Sequence, residues 1–600
     1  MRNKSAIIID HIFGDMDMHS VSAPWLLEHH QGVRHLQRSY PAKSLPGEIC
    51  WLEVTTSDDL LIGTVQIWYS CDEWQTQNCK EFCKGEMTWD TLRWGWLRHW
   101  WVDLPAMDGG TILRYKVGAR SEPTGNWIFA DNQADSFDRG THFAIYYGSD
   151  QLPEWTRYAR VYQVFVDRFN PGEGISWLQT DDLMRPCGGT LQGVIEKLGH
   201  IVDMGFNAIW LTPIFTSPSH HGYDISDYYM VNPCLGTDQD FDELITLAHK
   251  QGIRVILDFV ANHCSDQLPQ FMDARSDPDS SYFNWFSWKR WPDKYQSFYD
   301  VESMPELDLC YGKPARAYML SCAQHWLERG ADGFRLDYAH GPTQDFWVDF
   351  RRVCRQVKSD CWLFGEIVQP ADSTARFAGS LDGSLDFHLC RAIRLTFAQQ
   401  TWPLSRLAGF LQAHGAYYAK DFSLPSFIDN HDMNRFLIPA YGDERLLKIA
   451  LMLLYVLPGP PIVYYGTEFA LSQNRSIHGE EGLGFDEARL PMDWQVNCPL
   501  KGFLAQLAQI RETYPVILEG KVKVVLCDDH RQVLILQTGE GQSAIYLLIN
   551  RSDGDQRVDF NLETKGDRKD GMSGIEIDLH DGKISIEIKP VQSIYIVPGQ

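Results

Sequence analysis

The sequence predicts an α/β protein: a (β/α)8 TIM barrel with an N-terminal β-sandwich and a C-terminal antiparallel β-sandwich. Three observations carry this. Apolar strand-like runs alternate with amphipathic helical stretches from about residue 160 to residue 514. Short runs rich in Trp, Tyr and Val recur between turn signals before residue 150. After residue 514 the helical stretches stop and β-type runs return. The boundaries expected are 20–150, 159–515 and 519–600, a division that a chain of 600 residues requires, since it exceeds one ordinary core.

In order, the N-terminal runs are EICWLEV, TVQIWYS, RHWWVDL, ILRYKVG, WIFA and HFAIYYG. The barrel begins at VYQVFV. A helix over LQGVIEKLGHIVDMG follows, with Leu191, Val194, Ile195, Leu198 and Val202 on one face. Then come the strand NAIWLTP, a helix over FDELITLAHKQG and the strand IRVILDFV. A helix over ARAYMLSCAQHWLERG leads to DGFRLD, and one over DFWVDFRRVCRQVK leads to CWLFGE. SFIDNHD and PPIVYYG are the later strands. Parallel strands joined by helices, eight in expectation, favour a closed barrel. An open sheet would call for phosphate-binding glycines, and no P-loop or dinucleotide fingerprint is present.

The stretch 263–304 interrupts the alternation as an inserted loop domain dense in aromatics. It is read equally as substrate surface and as a small core, with Trp285 and Trp288 candidates for either role. The C-terminal runs are VKVVLC, QVLILQT, SAIYLLIN, ISIEIK and SIYIVP.

Composition narrows the partners. A formal net charge of −25 repels phosphate backbones and anionic lipid, so neither nucleic acid nor membrane is expected. Neutral sugars remain compatible. The 21 Trp and 25 Tyr serve cores first, but aromatic faces also accept sugar rings. The start, MRNKSAIIIDHIFGD, is too poor in apolar residues for a signal peptide, which sets a cytoplasmic expectation. The 14 scattered Cys, among them Cys264, Cys322 and Cys390, read as buried thiols of a reducing compartment. Cys79 and Cys83 lack a second pair at zinc spacing, so no metal is assigned.

The chemistry sits at strand ends. LDFVANH brings Asp258, Asn262 and His263; GFRLD brings Arg335 and Asp337; LFGE brings Glu366; FIDNHD brings Asn430, His431 and Asp432. An ionisable residue closing an apolar strand is not explained by packing, and four such ends on one rim point to a site. Two carboxyl groups are what cleavage of a glycosidic bond needs.

These four segments resemble the conserved segments of the α-amylase superfamily of glycoside hydrolases. MPELD (Met304 to Asp308), GGTLQGVIEKL, HGYDISDYY and IVYYGTE add to the resemblance, which covers roughly 160–514 and extends to the C-terminal sandwich. The N-terminal domain is similar to that of cyclomaltodextrinases, neopullulanases and maltogenic amylases. The resemblance implies a retaining hydrolase of α-1,4-glucosidic bonds in maltooligosaccharides, cyclodextrins or starch-like glucans. It implies Asp337 as nucleophile, Glu366 as general acid and base, and Asp432 as third carboxylate. Substrate contacts are implied for Tyr223, Asp224, His263, Arg335, His340 and His431, with Asp258 and Asn262 in support. No cofactor is required. Structural calcium is compatible with the family, with Asp167, Asn170 and Glu173 as contributors. A homo-oligomer is left open.

The chain departs from the neopullulanase-like group in three places. Tyr338, Ala339, His340, Gly341 stand where that group ends in an Asn-Glu pair. Ile367, Val368 lack its usual Trp, and MPELD replaces its usual MPKLN. A 4-α-glucanotransferase is the alternative within catalysis. A non-catalytic sugar-binding relative is the alternative of another class, and retention of all three carboxylates and Arg335 weighs against it.

Overall fold

A parallel sheet covered on both sides needs strands that are apolar at nearly every position. The computed structural model bears this pattern. It describes residues 30–599 except 92–93, 122–124, 150, 179, 181, 479–483, 520–521, 563–565 and 581. The leader reading, on residues 1–15, and positions 20–29 and 150 of the expected N-terminal domain lie outside the described residues.

Seven strands form one parallel sheet in the order Gly383–Ser384, Trp362–Gly365, Gly333–Leu336, Arg254–Phe259, Ala208–Leu211, Val161–Val164, Ile462–Tyr464. All but Arg254 are buried throughout. The strand Gly383–Ser384 is not among the runs named from the sequence; two small residues carry no apolar signal. SFIDNHD, expected as a full strand, joins through one parallel bridge, Ser426 with Pro461, and the residues just before it add a second, Gly383 with Ser423. Ser384 N donates to Ser423 O (3.0 Å) and Ile462 N to Ser426 O (2.7 Å), so this segment touches both sheet edges.

The helices follow their caps. Thr190 accepts from Gly193 N at the start of Leu191–Asp203, and Thr237 with Asp240 closes a capping box on Asp238–Lys250. The first helix buries Leu191, Val194, Leu198 and Ile201. Val202, expected on that face, is 37% exposed, because it lies a further 100° round the helix from Ile201. Pro314–Glu328 and Gln344–Val357 complete the run that sequence periodicity indicated.

An Asp-Gly pair sets two strand starts. Asp332 accepts from Val255 N (2.8 Å) and is gripped by His249, Arg254 and Lys358. Asp382 accepts from Leu363 N (3.0 Å) and binds Arg351 and Arg355. The glycine after each lies against neighbouring backbone: a Cβ on Gly333 would sit 2.1 Å from Trp362 O, and one on Gly383 2.1 Å from Ser423 O. The carboxylate therefore satisfies a neighbouring strand's N–H while the bare Cα allows close approach.

In the insert, Phe286 and Tyr295 are buried around Phe271, and Trp285 is buried against Tyr282 and Tyr318. Trp285 is 6% exposed and Trp288 stacks on Phe271, its Nε1 donating to Phe283 O (3.0 Å). Trp285 is therefore core, while Trp288 is half-buried against the same cluster. Phe298 and the exposed Tyr299 instead face Tyr338 beside the strand ends.

Antiparallel sheets flank the parallel one. Two five-stranded sheets on the N-terminal side share one cluster that includes Leu52, Val54, Ile67, Val102 and Val117. On the C-terminal side a six-stranded and a three-stranded sheet share Val533, Ile535, Leu548, Val558 and Ile584. The alternate residues Leu534, Leu536, Leu547 and Tyr595 face the other way and merge into the central core. No helix among the described residues is long and apolar enough to cross a membrane.

Candidate active site

Parallel register brings the strand-end groups together. Asp258 pairs in register with Arg335, and Arg335 with Phe364, so Asp337 and Glu366 leave adjacent strands at one rim. Arg335 is fully buried and lies over the ring of Trp210, 5.3 Å from its centroid. Its Nη1 donates to Asp258 Oδ1 and to Asp337 Oδ1, both at 2.7 Å. Its Nη2 stands 2.7 Å from Glu366 Oε1, an ion pair without hydrogen-bond alignment. Asp258 is fully engaged: its Oδ2 accepts from Tyr223 OH (2.9 Å) and Trp210 Nε1 (3.1 Å). Asp258 thereby anchors the guanidinium that two other carboxyls share.

A second cation holds Asp432. Arg489 donates from Nη2 to Asp432 Oδ1 and from Nε to His431 O, both at 2.8 Å. His431 Nε2 lies 3.0 Å from Asp432 Oδ2 and also meets Tyr223 OH. The Tyr223 and His431 rings are nearly parallel, 4° apart with centroids at 5.5 Å. Gln163 Nε2 faces His431 Nδ1 at 2.7 Å. Asp486 bridges Arg489 (3.5 Å) to His220 (2.7 Å).

Burial raises the Asp337, Glu366 and Asp258 carboxyls above the usual range, while Arg335 pulls each of them down. Burial opposes the Asp432 charge too, but His431, Arg489 and Arg335 outweigh it and hold that carboxyl well below the usual range. Asp258, Asp337, Glu366 and Asp432 thus face the guanidiniums of Arg335 and Arg489, and burial pushes Asp337 up the furthest of the first three.

The remaining sequence-named residues sit around this centre. His263 is buried and stacked on Phe298 at 4.2 Å. Neither of its ring nitrogens has an aligned hydrogen bond, and burial lowers its pKa to about 3, so the ring is neutral. His340 packs on Tyr338 with centroids at 4.0 Å, and burial lowers it to about 4. Asp224 accepts from Ser217 Oγ (2.6 Å) and Ser219 Oγ and so ties its own loop. Asn262 lies against Gly341, where a Cβ would come within 2.2 Å of Asn262 Oδ1. Tyr338, with φ at 42°, points its N–H at Glu366 Oε2 (3.2 Å).

The calcium expectation meets an occupied carboxylate. Asp167 accepts from Cys187 N, Gly188 N and Arg168 Nε at 2.8–3.0 Å. Asn170 gives its amide to Gly193 O and Glu196. These residues fasten two loops and do not fit a cation. No cluster of three His, Cys, Asp or Glu suited to a metal occurs among the described residues. Arg489, Gln163 and Trp210 escaped sequence reasoning; a glutamine inside the apolar run VYQVFV was the one signal available.

Residues 163–514 match the family described as alpha amylase, catalytic domain. The chain is 35% identical over 428 residues to Alpha-amylase 2 of Dictyoglomus thermophilum, covering 71% of this chain and 74% of that one. It is 30% identical over 437 residues to a cyclomaltodextrinase of Geobacillus thermopakistaniensis, covering 69% and 72%. A solved cyclomaltodextrinase aligns with a TM-score of 0.70 over 94% of this chain and 99% of its own, at 22% identity, a likeness of fold.

Proposed function

The chain belongs to the α-amylase family of glycoside hydrolases, and from that premise we propose that it cleaves α-1,4-glucosidic bonds in maltooligosaccharides or cyclodextrins with retention, through a covalent glycosyl-enzyme. The observation that carries the reading is the sharing of Arg335 by Asp258, Asp337 and Glu366, each at 2.7 Å.

The alignment of those contacts divides the labour. A charge-assisted hydrogen bond stabilises an ionised carboxylate more than an unaligned contact does. From Arg335, Asp337 and Asp258 receive aligned bonds and Glu366 does not; Glu366 accepts only the backbone N–H of Tyr338. Burial pushes Asp337 up further than Glu366. We set the bond geometry above that difference and assign the proton to Glu366 as the acid, with Asp337, held by the aligned Arg335 bond, as the ionised nucleophile. Glu366 gives its proton to the glycosidic oxygen as Asp337 attacks the anomeric carbon and the bond to that oxygen breaks. Glu366, now ionised, takes a proton from water, whose oxygen displaces Asp337 and restores the starting state. Asp432, kept ionised by His431 and Arg489, accepts from sugar hydroxyls. Tyr223 presents its ring face, and the neutral His263 offers a hydrogen bond to the sugar. Asp224 and His340 act further out, on the loops that bound the site.

The architecture belonging to this reading is a closed (β/α)8 barrel over 159–515, with the segment at 423–428 as the strand that joins its edges. A β-sandwich over 20–150 and another over 519–600 accompany it. All fourteen cysteines are free thiols, consistent with a reducing, cytoplasmic setting.

Azide tests the two roles separately. Glu366→Ala should still form the intermediate from a glucosyl fluoride, and azide should release the α-glycosyl azide. Asp337→Ala should give the β-azide by direct displacement. Near-wild-type turnover of Asp337→Ala, or β-anomeric product from the native enzyme, overturns the mechanism. Counting new reducing ends against total cleavage separates hydrolysis from glucanotransfer.

A further inference from the structure

We propose that Gln163 is a positioning residue for His431: its side-chain amide holds that ring as a neutral imidazole with its hydrogen on Nε2, the nitrogen turned toward Asp432 and the sugar. The sugar's part in this rests on the hydrolase reading. Gln163 is fully buried in the strand Val161–Val164, beside Val161, Tyr162 and Val164. A glutamine in a strand sealed on both faces is not explained by packing, because burying an amide that lacks partners is destabilising. Strand register puts it between Trp210 and Tyr464. Its Oε1 has no partner among the described residues. Its Nε2 meets His431 Nδ1 at 2.7 Å.

The far side of the ring fixes the direction of hydrogen bonding. Tyr223 has one hydroxyl hydrogen and gives it to Asp258 Oδ2 (2.9 Å), so toward His431 Nε2 its oxygen accepts. Asp432 Oδ2, 3.0 Å from the same nitrogen, belongs to a carboxyl held ionised, and it accepts too. Nε2 therefore carries hydrogen. Gln163 turns its NH2, not its oxygen, toward Nδ1, which makes Nδ1 an acceptor and leaves the ring uncharged. The ring's neighbours keep it in that orientation: it lies parallel to Tyr223, edge-on to Trp210 at 5.9 Å and beside Phe165 at 6.2 Å. A glutamate at position 163 would reach equally far, but its oxygens accept and would draw a second hydrogen onto Nδ1. The resulting imidazolium would clamp Asp432 as an ion pair and compete with sugar hydroxyls for it. An amide of this length reaches Nδ1, donates to it and brings no charge. His431 is thereby a donor toward the site, free to support Asp432 and to offer its N–H to a sugar oxygen.

The test is solid-state NMR of the full chain labelled with 15N-histidine, the signals of His431 being those lost in His431→Asn. In the native chain Nε2 should carry hydrogen and Nδ1 should not. Gln163→Glu should put hydrogen on both nitrogens. Gln163→Leu should shift the Nδ1 resonance, since its donor is gone. Both variants should lower kcat/KM on maltotriose about tenfold, mostly through kcat. The Tm of Gln163→Leu should be no lower than that of the native chain, because a half-paired buried amide has been removed. If Gln163→Leu does not fold, Gln163→Met, of the same length, takes its place. Hydrogen on Nδ1 in the native chain overturns the inference. So does a bare Nδ1 in Gln163→Glu, or full activity in either variant. Failure of the native chain to cleave maltotriose would remove the hydrolase reading alone; the hydrogen on Nε2 and its dependence on residue 163 would still be read from the spectra.

Discussion

Arg489 shows what one side chain does from the edge of a site. It holds Asp432 through Oδ1 and the preceding His431 through its carbonyl, while Asp486 and His220 brace it from behind. Arg489→Ala should lower kcat on the order of tenfold, about 1.4 kcal/mol of barrier. The sign of the pH effect is fixed: losing a cation raises the Asp432 carboxyl, so the acid limb of kcat/KM moves to higher pH. Arg489→Lys should recover part of both effects, because a point charge remains while the fork to His431 is lost. A pH–rate profile of the three proteins checks this, and an unmoved acid limb would show that Arg489 only supports the fold. The insert divides in a similar way. Trp285→Ala should cost about 3 kcal/mol of stability with KM unchanged, since its ring is core. Tyr299→Ala should raise KM and leave the melting temperature alone. Sequence reasoning could name Asp258, Arg335, Asp337 and Glu366 because an ionisable residue at the end of an apolar strand stands out. Arg489 gave no such signal. It lies in an irregular stretch, and its partner is 57 positions away.

At the level of single elements, the Asp-Gly starts show why strand boundaries were partly illegible. Asp332 and Asp382 mark strand entry by chemistry, not by apolar pattern, and the two-residue strand after Asp382 has no pattern to read. Burial opposes the Asp332 charge, but His249, Lys358 and Arg254 outweigh it and hold the carboxyl well below its usual range. A depressed carboxyl stabilises the folded chain at every pH above its unfolded value, about 3.9. That contribution is lost as pH falls through the folded value. Asp332→Ala should therefore cost about 3 kcal/mol near neutrality, read as a lower urea midpoint, with the gap to wild type closing in acid. A gap independent of pH would mean that Asp332 acts by packing. The long helices were legible for the opposite reason: caps and 3.6-residue periodicity are local, and only Val202 fell on the wrong side of the exposed boundary.

Across the whole molecule, the flanking sheets attach by different physics. The N-terminal sheets have their own apolar cluster and meet the central domain where the strand Phe143–Tyr147 packs along the helix Gln344–Val357, with polar ties around it. Arg114 binds Asp349 on the Gln344–Val357 helix at 2.8 Å, Arg376 donates to Leu36 O (3.3 Å), and Lys43 meets Asp421. Arg114→Ala should separate the single calorimetric transition expected of the native chain into two, the N-terminal part melting first; one undivided transition would show the attachment to be stronger than these contacts. The C-terminal six-stranded sheet has no such independence, because Leu534, Leu536, Leu547 and Tyr595 are part of the central core. That difference constrains ancestry. A lineage could gain or shed the N-terminal sheets without leaving Asp349 unpaired, since it keeps Arg316 as a partner at 2.7 Å. Deleting the C-terminal sheets would strip the central core of apolar cover at once, so recombination at that junction would be selected against, and the central domain and the tail would be inherited together.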